Sequence, residues 1–193
     1  MQIFDNILSP KVFKNLQNSI LDDSNFSWYF GNTHDKSVEA SNNFMYSWDH
    51  NVYNSGQIYS DSFSFIKPCL LSALDNCGID VEELIRIRIG CITITEKQYT
   101  HGPHVDNFIP HKTGLLYLNS TNGPTILYNQ KYDPDSNLDT SEYFDKYVKS
   151  NLTIQDKVEH KENRLLIFDG HTYHSSTTQT DVPRRIAINF NFI

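Results

Sequence analysis

Ile85-Arg86-Ile87-Arg88-Ile89-Gly90-Cys91 is the stretch on which the fold turns. Its isoleucines alternate with arginines and glycine at a period of two, the pattern of a strand, and residues up to Thr95 keep the same composition. Upstream the periodicity is helical. Ser9-Pro10 places a cap before a first-turn proline, and Val12, Phe13, Leu16 and Ile20 recur on one helical face. A second helical segment between Asp61 and Asn76 carries the stripe Ile66, Leu70 and Leu74, with Pro68 opening a turn or kinking it. Residues 3–8 read as a short strand. Downstream, strands are predicted at 113–119, 125–128, 152–158, 164–168, 173–177 and 185–192, separated by turn formers such as Asn119-Ser120-Thr121-Asn122-Gly123-Pro124. Helices first and short strands afterwards predict an α+β domain built on a sandwich or rolled sheet. A doubly wound nucleotide fold is a poor match, because helices do not alternate with the later strands and there is no glycine-rich phosphate loop.

The 193 residues suit a single domain, with residues 1–83 supplying helices and a substrate mouth and 84–193 the strand-rich core. A 13% aromatic share indicates a packed chain, and a formal charge of −7 disfavours nucleic acid and anionic membranes as partners. Cys69, Cys77 and Cys91 form no CxxC motif, and an odd number cannot all pair within the chain. With no apolar run of bilayer length and no secretory pattern at the start, the expectation is a soluble, cytoplasmic or other intracellular protein without membrane contact. Between Asp22 and Gln57 aromatic residues are scattered through polar ones, and Phe44, Tyr46, Trp48 and Tyr59 are candidates for lining a mouth. Residues 129–151 read as a polar excursion, a candidate lid.

Chemistry concentrates in His104-Val105-Asp106 and in His174 of Phe168-Asp169-Gly170-His171-Thr172-Tyr173-His174. On an extended segment His104 and Asp106 share one face, and His174 can join them from a later strand. Two imidazoles and one carboxylate leave part of an octahedral metal open, as non-haem Fe(II) requires when a co-substrate, O₂ and an organic substrate meet at one centre. His101 and His171 are the local rivals as ligands, while His34, His50, His111 and His160 fall in polar connections where solvent exposure is expected. A zinc hydrolase using Glu96 or Asp169 as base ranks lower, since no helix carries two histidines at zinc-protease spacing.

From about Ile85 to Phe192 the chain resembles the 2-oxoglutarate/Fe(II)-dependent dioxygenases, in particular their prolyl-hydroxylase-like branch. The resemblance rests on the order of His104-Val105-Asp106-Asn107, Thr113-Gly114-Leu115-Leu116-Tyr117-Leu118-Asn119, Gly123-Pro124-Thr125, Arg164-Leu165-Leu166-Ile167-Phe168, His174 and Arg185-Ile186-Ala187-Ile188-Asn189-Phe190. It implies a distorted double-stranded β-helix, or jelly roll, supported by the N-terminal helices. It also implies that His104, Asp106 and His174 bind Fe(II), that Arg185 secures the distal carboxylate of the co-substrate 2-oxoglutarate, and that Tyr117 donates a hydrogen bond to it. Strand alternation favours Arg185 over Arg184, placing residues 185, 187 and 189 on one face. Thr95, Thr125 and Asn189 are candidates for additional contacts. Gly123-Pro124 departs from the paired glycines common after this family strand.

The implied reaction is oxidative decarboxylation of 2-oxoglutarate to succinate and CO₂, coupled by O₂ to hydroxylation of a substrate C–H bond. Asp106 argues against the related halogenases, where a halide needs the carboxylate's position. The branch suggests a peptide or protein side chain, proline among the candidates. A free amino acid or other small metabolite is the enzymatic alternative, and a non-catalytic jelly-roll binding protein the alternative from another class.

Overall fold

A computed structural model describes residues 1–31 and 47–193. His34, Phe44, Met45 and Tyr46 lie outside these described residues. The chain opens with β1 (Gln2–Asp5), α1 (Pro10–Gln17) and a π turn over Asn18–Asp22. Then come β2 (Tyr29–Gly31), β3 (Ser47–Asn54), β4 (Gln57–Ile58), α2 (Phe63–Asn76) and β5 (Leu84–Thr93). The remaining strands are β6 (Lys112–Tyr117), β7 (Thr121–Lys131), β8 (Ile154–His160), β9 (Arg164–Asp169), β10 (Thr172–Ser176) and β11 (Arg184–Phe192).

These strands form two antiparallel sheets. The larger runs β1-β9-β6-β11-β5-β3-β2 with β4 hydrogen-bonded to β3, and the smaller runs β10-β7-β8. The first strand of the chain therefore pairs with β9 in the same sheet as the later strands. Alternation assigns the two faces of the large sheet. On one face Ile87 and Ile89 of β5, Leu116 of β6, Leu165 and Ile167 of β9, and Ile186, Ile188 and Phe190 of β11 pack against Phe13, Leu16, Ile66 and Leu70 of the helices. On the other, Leu115, Tyr117, Leu166, Phe168 and Ala187 meet Leu127 and Val158 of the small sheet and close the interior of the roll. Strands buried on both sides explain the near-continuous apolar runs of β6 and β9.

α2 runs through Pro68 without ending there. The backbone bond that proline forgoes is offset by burial of Ile66, Leu70, Ala73 and Leu74. β7 begins earlier than its sequence suggests, because Gly123-Pro124 sits inside the strand, where the pairing with β8 shifts register between Thr121 and Thr125. A side chain at residue 123 has no room, since a Cβ there would lie 2.5 Å from the Thr177 carbonyl.

The excursion after β7 coils through Pro134–Ser136, α3 (Thr140–Tyr143) and the turns that follow it. Tyr173 Oη donates to the Thr140 carbonyl at 3.1 Å, and the Tyr173 ring packs with Val148, Phe144 and Tyr132. Tyr173 joins that cluster with Ile126 and Tyr128, whereas the ring of the next residue, His174, packs against Phe168 of the interior. The excursion is thus fastened to the outer side of β10, opposite His174, which is not where a lid would sit. Trp48 likewise packs into the helix-side core and so leaves the set of mouth residues. Among the described residues no helix is long and apolar enough to cross a membrane.

Candidate active site

His104-Val105-Asp106 is not part of a regular strand. His104 forms an isolated antiparallel bridge with His174 of β10, each backbone N–H donating to the other's carbonyl at 3.0 and 2.9 Å. This bridge, more than strand alternation, brings the third ligand to the first two. The ligand atoms of His104, Asp106 and His174 lie within 4.8 Å of one another, the group among the described residues able to hold a metal ion. Each Nε2 is about 4 Å from an Asp106 oxygen: His104 at 4.0 Å from Oδ1, His174 at 3.9 Å from Oδ2. His104 Nδ1 lies 3.2 Å from the Gly102 carbonyl and His174 Nδ1 3.1 Å from that of Thr172. Carbonyls only accept, so each Nδ1 carries the proton and each Nε2 turns a lone pair towards the centre. Burial, with the neighbouring His104, holds the His174 imidazole down to about 4 against the pull of Asp106, so it is a neutral ligand at physiological pH.

Asp106 is held from several sides. Arg86 of β5 donates to Oδ1 at 2.7 Å, Asn191 and Thr113 donate to Oδ2 at 3.1 and 3.3 Å, and Asn189 reaches both oxygens. Burial alone would raise this carboxyl, but Arg86 and the two histidines outweigh it and hold Asp106 well below the usual carboxylate range. The donor set, the tautomers and the ionised carboxylate all fit a divalent metal with open coordination positions.

A second polar group lies farther along the interior. On β11 the inward residues run Asn191, Asn189, Ala187 and Arg185, so Arg185 is about 13 Å along the strand from Asn189, with only the small Ala187 between. Arg185 is 5% exposed. Its Nε donates to the Gly123 carbonyl and its Nη2 to Thr125 Oγ1, both at 2.9 Å, and Tyr117 Oη donates to the same Thr125 oxygen at 2.8 Å. Burial lowers the guanidinium to about 10, which leaves it charged, yet it forms no ion pair among the described residues. A buried cation without a counter-charge is costly, and a bound carboxylate would relieve it. Arg184 is exposed and points away, to the Leu21 carbonyl at 3.4 Å.

No protein-family model and no curated protein sequence matches the chain. Solved structures do. A prolyl hydroxylase from Trichoplax adhaerens, in complex with a peptide fragment of the hypoxia inducible factor oxygen degradation domain, superposes with a TM-score of 0.57 at 15% identity, covering 100% of this chain and 82% of its own. A Pseudomonas putida prolyl-4-hydroxylase gives 0.57 at 12%, over 99% of this chain and 90% of its own. The epimerase SnoN, in complex with Fe3+, alpha ketoglutarate and nogalamycin RO, gives 0.64 at 10%, over 99% and 77%. The chain has the jelly-roll fold of the 2-oxoglutarate/Fe(II) oxygenases.

Within that oxygenase fold, the expected residues divide by place. His104, Asp106 and His174 come together at one end of the interior, Tyr117, Thr125 and Arg185 at the other, and Asn189 stands beside Asp106. Thr95 is elsewhere, its Oγ1 donating to the Lys97 carbonyl and lying 2.7 Å from Thr178 Oγ1. His101 is bonded to Ser176 and His171 to the Phe108 and Ile109 carbonyls. Asp169 is ion-paired with Lys131, and Glu96 is exposed. Three of the histidines expected in solvent are buried instead: His50 at 6%, His111 at 8% and His160 at 1% exposure. Around His160 the exposed Glu159 and Glu162 signal solvent while the imidazole turns in. Arg86 and Asn191 escaped sequence reading altogether, although the period-two pattern that puts Arg185 and Asn189 on one face also puts Asn191 there.

Proposed function

We propose that the protein is an Fe(II)- and 2-oxoglutarate-dependent dioxygenase that hydroxylates a peptide or protein side chain, proline being a candidate. The observation that carries this reading is the pairing of a three-ligand metal face with a buried guanidinium that has no counter-charge among the described residues, at two ends of one jelly-roll interior. In this reading His104, Asp106 and His174 hold Fe(II), and Arg185, Tyr117 and Thr125 take the distal carboxylate of 2-oxoglutarate. Arginine offers a planar fork of donors and the phenol a directional one. Arg86, Thr113, Asn189 and Asn191 keep the Asp106 carboxylate ionised and oriented. Bound Fe(II) supplies the capacity to activate O₂ while 2-oxoglutarate is decarboxylated to succinate and CO₂. Phe168, Leu127 and Leu115 wall the interior and exclude water from it.

The peptide reading draws support from the shallow seat of the metal face. The His104 side chain is 52% exposed, so the side chain of a large substrate can reach the centre from solvent. The two prolyl hydroxylases among the structural neighbours add weight. A small-molecule substrate is the second reading, favoured by the fit to SnoN at the TM-score of 0.64. The three free thiols of this chain, Cys69, Cys77 and Cys91, suit a reducing intracellular compartment.

Purified protein given Fe(II) and 2-oxoglutarate anaerobically and then O₂ is expected to make succinate above a metal-free control, and more so with its acceptor present. No succinate from protein shown to bind both, across peptide and metabolite pools, would sink the oxygenase reading. Product mass spectrometry on those pools, searching for a gain of one oxygen, decides between peptide and small molecule.

A further inference from the structure

His160 ends β8 inside the Arg185 pocket. Val158, two residues before it, belongs to the barrel interior with Tyr117 and Leu127, and the period of two turns His160 the same way. Its ring lies against Tyr117 with centroids 4.2 Å apart. At 1% exposure it is sealed from solvent, and neither Nδ1 nor Nε2 reaches a hydrogen-bonding partner among the described residues. The carbonyl of Ile186 lies beside the ring and accepts the Leu118 N–H, but neither imidazole nitrogen meets it in hydrogen-bonding geometry. If the fold needed only a ring to cover Tyr117, phenylalanine would serve without burying two polar atoms unmet.

Burial and the charge of Arg185 hold this imidazole well below the usual histidine range, outweighing the Ile186 backbone. It is therefore neutral, with one N–H to give and no charge to set against the guanidinium. Arg185 has already committed Nε and one Nη2 proton to Gly123 and Thr125. An ionised carboxylate accepts at about four lone-pair sites, so a carboxylate seated on the remaining guanidinium protons has places left for a further donor.

We propose that His160 is an additional binding group for the distal carboxylate of the co-substrate, donating an N–H beside Arg185 and Tyr117 and so selecting 2-oxo acids that end in a carboxylate. This rests on the reading of the Arg185 pocket given under Proposed function. The orphaned nitrogens then acquire a purpose: they are unmet only until the acid arrives.

Calorimetry on Mn(II)-loaded protein under inert gas tests the assignment with two ligands, 2-oxoglutarate and 2-oxopentanoate, the second carrying a methyl in place of the distal carboxylate. His160→Phe, which keeps the ring against Tyr117, is expected to weaken 2-oxoglutarate about tenfold while leaving Mn(II) and 2-oxopentanoate within about twofold. His160→Gln, which restores an N–H donor, is expected to recover most of that loss. A His160→Phe protein that keeps its 2-oxoglutarate affinity, or weakens towards both acids alike, overturns the role of His160. Wild-type protein that binds Mn(II) but not 2-oxoglutarate overturns the Arg185 pocket itself, and His160 with it. Should the Phe variant not fold, the Gln variant carries the test alone: equal weakening towards both acids counts against the proposal, and near-wild-type discrimination between them supports it.

Discussion

At one end of the barrel interior Asp106 accepts hydrogen bonds from Arg86, Thr113, Asn189 and Asn191, while at the other, among the described residues, Arg185 meets no carboxylate and His160 no hydrogen-bonding partner. His104 opens to solvent, but the side chain of Asp106 is as buried as Arg185, so exposure of the charged group does not account for the difference. The metal-ligand end has compensated its charge with the chain's own groups, and a metal adds to a site that is already held in shape. The Arg185 end has left its charge open, which a folded protein tolerates when a ligand of opposite charge completes it. Removing a charge should therefore have opposite consequences for stability at the two ends.

The largest effect is expected at the compensated end. Asp106→Ala removes the anionic ligand, and metal affinity should fall by more than about 100-fold, beyond what loss of a supporting group costs. It also strands Arg86 with a half-buried charge and Asn189 without its acceptor, while Asn191 keeps only Thr113. Metal-free protein should lose about 3 kcal/mol in a urea titration, at the low end for a broken buried pair because Arg86 keeps 22% of its side-chain exposure. An Asp106→Ala protein as stable as wild type would contradict the picture of a carboxylate that organises its surroundings.

Arg185→Met should behave in the other direction. The substitution keeps an apolar stem of similar length and deletes a buried charge with no counter-ion, so metal-free protein should gain about 1 kcal/mol. Affinity for 2-oxoglutarate should drop about 100-fold, the loss of a charge-assisted contact, with metal affinity almost unchanged. If the same titration shows Arg185→Met destabilised as much as Asp106→Ala, the two ends do not differ in kind.

Much of this contrast can be traced in the sequence, and the part that cannot has a physical cause. The alternation of β5 and β11 is visible because one face is apolar and continuous, and it places Arg185 and Asn189 inward. The HxD spacing flags His104 and Asp106, but their approach to His174 depends on a backbone bridge between residues 70 apart, which no local period encodes. β2 and β4 are too short to show a period. Gly123-Pro124 reads as a turn because its residues are turn formers, yet the absence of a Cβ at 123 is what lets β7 press against the Thr177 carbonyl. His160 hides among Glu159, Lys161 and Glu162, whose charges signal a solvated connection, whereas the alternation from Val158 turns the imidazole inward.

Acid should separate the two ends by a smaller margin. His174 and His160 both have folded-state affinities for protons below those of an unfolded histidine, for which 6.5 is the reference. Between pH 6.5 and about 4 the unfolded chain thus binds more protons than the folded one, so stability is fully present above 6.5 and is lost as pH falls. For His174 the loss ends near 4, below which the folded protein binds the proton as well; the Asp106 carboxylate keeps that limit from lying lower. For His160, burial and the facing Arg185 cation act in the same direction, so its share too is present above 6.5 and is lost as pH falls. Metal-free protein should show an unfolding temperature lower by roughly 5 °C at pH 5 than at pH 7. His160→Phe should flatten that slope while Arg185→Met, by removing the repelling charge, should flatten it less. An unchanged slope in His160→Phe, measured by scanning calorimetry, would mean that the imidazole is not sealed in the barrel as a neutral group.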